Sequence, residues 1–165
     1  MQPISAVLLN ERIFQSVVAQ SEKIGAFVHG YTHAGHPVAA SVALETLKIY
    51  DEIDIIGHVR AVAPVFLETL GALREHPLIG DFTGVGLIAG LELVKDKSTR
   101  ENYPAAIGLG SRIDAHARNN GLILRIVGNR IAFSPPLIIT DKEVAELGRR
   151  MRKTLDDTYR EIHAL

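Results

Sequence analysis

The residues best suited to chemistry stand together in one short polar stretch. Tyr31, Thr32 and His36 lie in a loop that contains Gly30 and Gly35, and an Ala- and Leu-rich segment typical of a helix follows directly. The start of a helix offers unpaired N–H groups and the positive end of its dipole, so it suits an anion such as a phosphate. The sequence therefore predicts an anion site here, to which Thr32 would add a hydroxyl donor. The same pattern also fits an ordinary connection before a helix.

A second candidate is an arginine in a segment with the pattern of a strand. Side chains alternate along a strand, so Ile123, Arg125 and Val127 share one face. An arginine with apolar neighbours on its own face is expected to lie out of free solvent and to need a carboxylate partner, from the protein or from a ligand. A structural ion pair, or an arginine reaching solvent at a sheet edge, fits this spacing equally well.

Other kinds of site are not indicated. His29, His33 and His36 are close in sequence, but they stand on a Gly-rich loop and there are no cysteines, so no metal site is predicted. Neither Gly-x-Ser-x-Gly nor Ser-x-x-Lys occurs. Gly84 and Gly86 lead into another strand, which is the wrong context for a dinucleotide fingerprint.

The composition of the 165 residues narrows the function classes further. The formal net charge is −1, which gives no indication of a nucleic-acid-binding surface. The absence of cysteine excludes disulfides and fits a reducing compartment, and we expect the cytoplasm. No apolar run is expected to span a membrane, because Glu92 interrupts the most promising one, and no secretory signal is evident.

The first third of the chain is predicted to contain a strand and two helices. Ile4 to Leu9 has the pattern of a buried strand, and Asn10 can cap a helix over residues 11–20. Pro37 fits the first turn of the next helix, which ends near Tyr50. Because a domain that opens on a buried strand is unusual, we expect the chain to begin inside a larger domain.

The rest of the chain is predicted to be a small α+β layer. A helical pattern runs from residue 54 to 75, where Pro64 indicates either a kink or a junction of two helices. Strands are predicted at 82–85 and 87–94, a helix at 105–119, and a hairpin of 122–127 and 130–133 around a Gly-Asn turn. Thr140 and Glu143 form a capping box that opens a last helix towards residue 163.

Four separated segments together resemble the class III aminotransferases, which use pyridoxal phosphate (PLP). They are residues 29–40, 84–97, 120–125 and 129–140, in the same order and spacing as in that family. Within the family the likeness is greatest to omega-amino acid and amine:pyruvate transaminases. The resemblance covers essentially the whole chain, and several motifs in order are far more specific than any one of them.

The resemblance implies the C-terminal portion of a fold-type I PLP-dependent α/β enzyme. Residues 1–53 would be the end of the large PLP-binding domain, and residues 54–165 the small C-terminal α+β domain. In such enzymes the loop matching Tyr31 and Thr32 binds the PLP phosphate of the other subunit of a homodimer. The arginine matching Arg125 is mobile and binds the carboxylate of the amino or keto acid. The parent enzyme would move an amino group from an amine or amino acid to an α-keto acid such as pyruvate.

The sequence also departs from the family in ways that bear on activity. The lysine that forms the Schiff base with PLP would precede Gln2 and is absent, so no catalytic residue is predicted and the chain alone is expected to be inactive. Thr83 stands where the family often has Arg, and His33-Ala34 where Tyr-Ser is common, which affects substrate detail. The alternatives to an enzyme fragment are a non-catalytic binding or dimerisation module of the same origin and, less favoured, an aminomutase.

Overall fold

The computed structural model describes residues 4–27 and 29–164, which divide into two units, Met1–Ile53 and Asp54–Leu165. The first unit contains helices α1 (Glu11–Ile24) and α2 (Pro37–Glu52). The side chain of Asn10 caps α1 by accepting the N–H of Ile13 at 3.0 Å, as predicted. The helix runs four residues beyond the expected end, because no helix breaker occurs before Gly25, which ends it with a φ of +80°.

The segment before α1 differs from its prediction. Ile4 to Leu9 is irregular and exposed, with Val7 at 86% and Leu8 at 91% of full exposure, so the predicted buried strand is wrong. A strand needs a neighbouring strand to take its N–H and C=O groups. No such neighbour occurs within the described part of this unit, residues 4–27 and 29–53.

An antiparallel sheet of four strands forms the centre of the second unit. The strands are β1 (Ile79–Val85), β2 (Ile88–Leu93), β3 (Arg125–Val127) and β4 (Arg130–Phe133), in the spatial order β1-β2-β4-β3. The predicted hairpin joins β3 to β4 through Gly128, which has a φ of +59°. Since β3 lies at an edge of the sheet, only β4 pairs with it.

Three helices accompany the sheet. They are α3 (Ile55–Gly71), α4 (Leu109–Asn119) and α5 (Asp141–His163), and short 3₁₀ turns occupy Ala72–Glu75 and Ala105–Ile107. Helix α3 continues through Pro64. Of the two predicted alternatives, a junction of two helices at Pro64 is therefore excluded, and one helix passes through it. The helix predicted over 105–119 is divided instead at Gly108, which has a φ of +61°. The capping box at the start of α5 is confirmed.

The helices cover one face of the sheet and leave the other exposed. The covered face and the helices share a hydrophobic core whose fully buried side chains include Phe66, Leu70, Leu91, Ile113, Ile131, Met151 and Leu155. On the opposite face Val85, Ile88 and Val127 are exposed. The second unit is therefore a two-layer α+β arrangement with one open sheet face.

Helix α3 and the turn after it correct one expectation from the sequence. Ile55–Glu75 is long and apolar enough, by length and composition alone, to cross a membrane, so the prediction that no run reaches this size is wrong. Three of its apolar side chains, Val62, Phe66 and Leu70, are buried in the core of the second unit. Packing within the fold thus accounts for these three side chains, whereas 22% of the apolar stretch as a whole is buried.

Candidate functional site

The polar loop before α2 folds into a tight turn. The N–H of Ala34 donates to the C=O of Tyr31 at 2.9 Å, and the N–H of His36 donates to the C=O of His33 at 3.3 Å. Gly35 has a φ of +69°, a conformation that a side chain would strain. The turn therefore places its last residue, His36, at the start of α2.

The first turn of α2 has few free donors. His36 is the N-cap residue, and its Nδ1 accepts the N–H of Ala39 at 3.4 Å. Pro37 has no N–H, so Val38 supplies the remaining donor at this end, and no acceptor for it is recorded among residues 4–27 and 29–164. A ligand here would meet one free N–H and the positive end of the helix dipole.

A cavity of about 380 Å³ lies beside this turn. Its lining residues are Ile4, Ser5, Tyr31, His33, Ala34, Gly35, His36, Ala39 and Ala40. Tyr31 and His36 thus meet at the start of α2, as predicted, but Thr32 is not among the lining residues. The reason is the turn: Thr32 occupies its second position, at the exposed tip, while Tyr31 and Ala34 form its hydrogen-bonded ends.

The donor set of this cavity suits a phosphate group. Tyr31 brings a phenol and Ser5 a hydroxyl to the cavity, and the free N–H of Val38 lies at the adjacent start of α2, outside the lining. No Lys or Arg occurs among the lining residues that the structure describes, so these neutral donors and the helix dipole would hold the anion.

Arg125 lies in the second unit, on the open face of the sheet. Alternation is as predicted: Leu124 and Ile126 are partly buried, while Arg125 is exposed with Ile123, which is 86% exposed. The expectation that Arg125 lies out of solvent is wrong for this chain. β3 is an edge strand, and no helix of residues 54–164 covers this face, so its apolar neighbours give no burial.

Arg125 differs from the other arginine on the same face. Arg130 lies 3.5 Å from Glu92 on β2, whereas no carboxylate partner of Arg125 is recorded in the described part of the chain. A cavity of about 410 Å³ adjoins Arg125, formed by apolar side chains and by Ser134, Pro135 and Pro136. A guanidinium without a protein partner beside an open cavity suits a carboxylate ligand.

Two contributions to these cavities were not predicted. Ser5 lines the first cavity although its segment is predicted to be a buried strand, and Ser134 lines the second although it lies just after the predicted hairpin. Neither position carries a local sequence feature that would have shown this.

Among residues 4–27 and 29–164 no group of three or more His, Asp or Glu side chains is placed to hold a metal ion.

Comparison with known proteins identifies the protein family of this chain. The model of aminotransferase class III matches residues 2–155. This chain belongs to the class III aminotransferases. Enzymes of this class depend in general on PLP, and the family predicted from the four motifs is confirmed.

The aminotransferase relatives agree across almost the whole chain. A protein of Oryza sativa subsp. indica named probable gamma-aminobutyrate transaminase 3, mitochondrial, is 42% identical over 99% of this chain and 32% of its own length. Gamma aminobutyrate transaminase 3, chloroplastic, from Solanum lycopersicum is 40% identical over 99% of this chain and 31% of its own length. The chain therefore spans about a third of the length of these relatives.

A solved aminotransferase structure confirms the mixed helix-and-sheet fold. The omega transaminase of Pseudomonas jessenii, solved in complex with PMP, matches 94% of this chain and 34% of its own chain, with a TM-score of 0.86 and 38% identity. The names of the plant relatives place those proteins in mitochondria and chloroplasts. The cytoplasmic location expected for this aminotransferase chain does not match those names and stays a prediction.

Proposed function

We propose that this chain is the C-terminal part of a PLP-dependent transaminase that moves an amino group from an amine or amino acid to an α-keto acid such as pyruvate. The observation that carries the proposal is the continuous family match over residues 2–155, which runs through both units. Residues 1–53 would complete the large domain and residues 54–165 would form the small one. The Schiff-base lysine would come from the rest of the enzyme.

In this proposal the loop before α2 holds the cofactor phosphate. Tyr31 would donate its phenol, Val38 its N–H and Thr32 its hydroxyl. Because Thr32 stands at the exposed tip of the turn, it is suited to a phosphate that approaches from outside the unit, as the site shared across a homodimer requires. When bound, PLP supplies an electron sink for the amino-group chemistry. The residues of this loop would fix its position.

Arg125 would bind the carboxylate of the amino or keto acid. Its exposure, the lack of a recorded carboxylate partner in the described residues and the adjoining cavity support this role. An arginine can bind a carboxylate with two parallel hydrogen bonds, which orients the substrate as well as holding it. For an amine without a carboxylate, the guanidinium would remain in solvent at the sheet edge.

The test uses the native protein purified with its cofactor. Amino transfer from an amine to pyruvate is measured for the wild type and for Arg125→Ala, with Arg130→Ala as the matched control from the same sheet face. We expect Arg125→Ala to raise KM for pyruvate by roughly tenfold or more, since a charge-assisted hydrogen bond contributes about 1.5–3 kcal/mol. Equal effects of the two variants would contradict the role of Arg125, and the absence of any amino transfer by the wild type would contradict the proposed reaction.

The alternative function is a non-catalytic binding or dimerisation module. The intact mass of the native gene product distinguishes it from the transaminase. A mass well above 18.0 kDa, with the additional sequence on the N-terminal side, supports the transaminase. A native product of 18.0 kDa supports the module and removes the proposed catalysis.

A further inference from the structure

His76 is a buried histidine that joins two elements of the second unit. It lies between the 3₁₀ turn Ala72–Glu75 and β1, and it is only 5% exposed. Its Nδ1 accepts the N–H of Leu78 at 3.2 Å, and its Nε2 lies 3.3 Å from Oδ1 of Asp156 on α5. The ring also meets Tyr159 of α5 edge to face, with 5.9 Å between ring centroids. One side chain thus connects the start of β1 to α5.

The hydrogen bonds of His76 define its protonation state. A backbone N–H can only donate, so Nδ1 must offer a lone pair to Leu78. Nε2 then carries the proton and faces the Asp156 carboxylate, 3.3 Å from its Oδ1. A proton added at Nδ1 would remove the acceptor from the N–H of Leu78, a residue that is fully buried.

The charges around the ring do not favour a second proton. Asp156 attracts a cation, but its side chain is 50% exposed and solvent screens it. Arg152 on the same helix and Lys97, whose Nζ lies 3.3 Å from the C=O of His76, repel a cation. Burial is the largest influence and lowers the pKa of His76, the two cations add to this, and Asp156 opposes it.

We propose that His76 is an acid-sensitive latch at the start of β1: the neutral ring holds the N–H of Leu78 at Nδ1, and protonation of Nδ1 releases it, while Nε2 keeps its contact with Asp156 of α5. The release would reach the core, because Leu78, whose N–H loses its acceptor, is fully buried there. Neither His76 nor Leu78 lines the cavity beside α2 or the cavity beside Arg125. The latch is therefore independent of the proposed transaminase function.

The direction of the pH effect follows from the lowered pKa. Between the ordinary histidine pKa of about 6.5 and the lower value of His76, the unfolded chain binds the proton more readily than the folded chain. The stabilisation that neutral His76 contributes is therefore complete above about pH 6.5 and is lost as the pH falls through this window. The ratio of folded to unfolded chain should fall by up to about tenfold for each pH unit until the pH reaches the pKa of folded His76.

The first test is an NMR titration of the ring nitrogens in the full chain. We expect His76 to be the neutral tautomer with hydrogen on Nε2 near neutral pH, and to titrate at a lower pH than the same residue in the urea-unfolded chain. Asp156→Asn should lower this pKa further, because it removes the anion that favours the cation. A hydrogen on Nδ1, or equal pKa values in the folded and unfolded chain, would overturn the proposal.

The second test measures urea unfolding of the full chain at several pH values below 6.5, where the latch should act. Glutamine does not titrate in this range and can both accept from Leu78 and donate to Asp156, so His76→Gln should remove this histidine's part of the pH dependence. His29→Gln, an exposed histidine in the other unit, should retain it. The same pH dependence in His76→Gln as in the wild type would contradict the latch. If His76→Gln does not fold, the NMR titration of the wild type decides the question.

Discussion

The two units differ in burial far more than in apolar content. No residue described between 4 and 53 is buried, and both α1 and α2 expose large apolar side chains such as Phe14 and Leu47. The second unit instead surrounds Phe66 and Leu91 with a core drawn from α3, α4, α5 and the sheet. An amphipathic helix is thus evidence for a buried face only together with the surface that covers it. Large apolar side chains exposed on both helices are typical of surfaces that contact another protein surface.

The largest expected contrast comes from truncating one phenylalanine in each unit. Phe66 is fully buried and Phe14 is 49% exposed. Phe66→Ala should lower the free energy of unfolding of the second unit by about 3–5 kcal/mol, because it removes apolar contacts and leaves a cavity. Phe14→Ala should change it by no more than about 0.5 kcal/mol. Urea unfolding followed by circular dichroism measures both, and similar losses would remove the distinction between the units.

A smaller contrast is expected from adding a methyl group at a glycine. A Cβ at Gly148 of α5 would overlap Cγ2 of Thr69 on α3, whereas a Cβ at Gly30 meets nothing within 4 Å. Gly148→Ala should destabilise the second unit by about 1–3 kcal/mol through overpacking. Gly30→Ala is the matched control, for which we expect almost no change in thermal unfolding of that unit. A stable Gly148→Ala variant would show that α3 and α5 pack less closely than described.

Removing a helix cap should lower the free energy of unfolding of the second unit by about 1 kcal/mol when the cap lies in that unit, and not when it lies in the first unit. Thr140 caps α5 in a capping box with Glu143, and Asn10 caps α1. Thr140→Ala should destabilise the second unit by about this amount, since α5 is part of its core. Asn10→Ala should reduce the helicity of α1 and leave the urea midpoint of the second unit unchanged. A shift of that midpoint by Asn10→Ala would mean that the two units unfold together.

The smallest expected effect concerns a surface carboxylate. Hydrogen bonds from Arg149 and Arg150 lower the pKa of Glu146 to about 2. The folded pKa lies below the unfolded one, so the stabilisation is present above about pH 4.5 and is lost as the pH falls towards about 2. Carbon NMR of the Glu146 carboxyl should give this low pKa in the wild type. The double variant Arg149→Ala, Arg150→Ala should raise the pKa of Glu146 towards its ordinary value. An unchanged pKa would contradict the role of the two arginines.

Features set by neighbouring residues could be predicted from the sequence. Asn10, Pro37, the hairpin turn at Gly128 and the capping box at Thr140 all act within a few residues, and each is where the sequence indicated. The four motifs added the family, because their order and spacing together are specific even though each motif alone is weak.

Features that depend on distant residues could not be predicted. Ile4 to Leu9 has the composition of a strand but lacks a neighbouring strand among the described residues of its unit. Arg125 has apolar neighbours, yet its exposure depends on whether another element covers the open sheet face. The contact of His76 with Asp156 joins positions 80 apart in the sequence and has no local signature.

The central claim, that the loop before α2 holds the phosphate of PLP, is tested most directly by the Kd of PLP in the native enzyme. Thr32→Ala is compared with Thr46→Ala, a threonine of α2 whose hydroxyl donates to the C=O of Val42. Loss of one charge-assisted hydrogen bond, about 1.5–3 kcal/mol, should weaken PLP binding by roughly tenfold to 150-fold for Thr32→Ala. The Thr46→Ala variant should bind PLP as the wild type does. An unchanged Kd for Thr32→Ala would contradict the account.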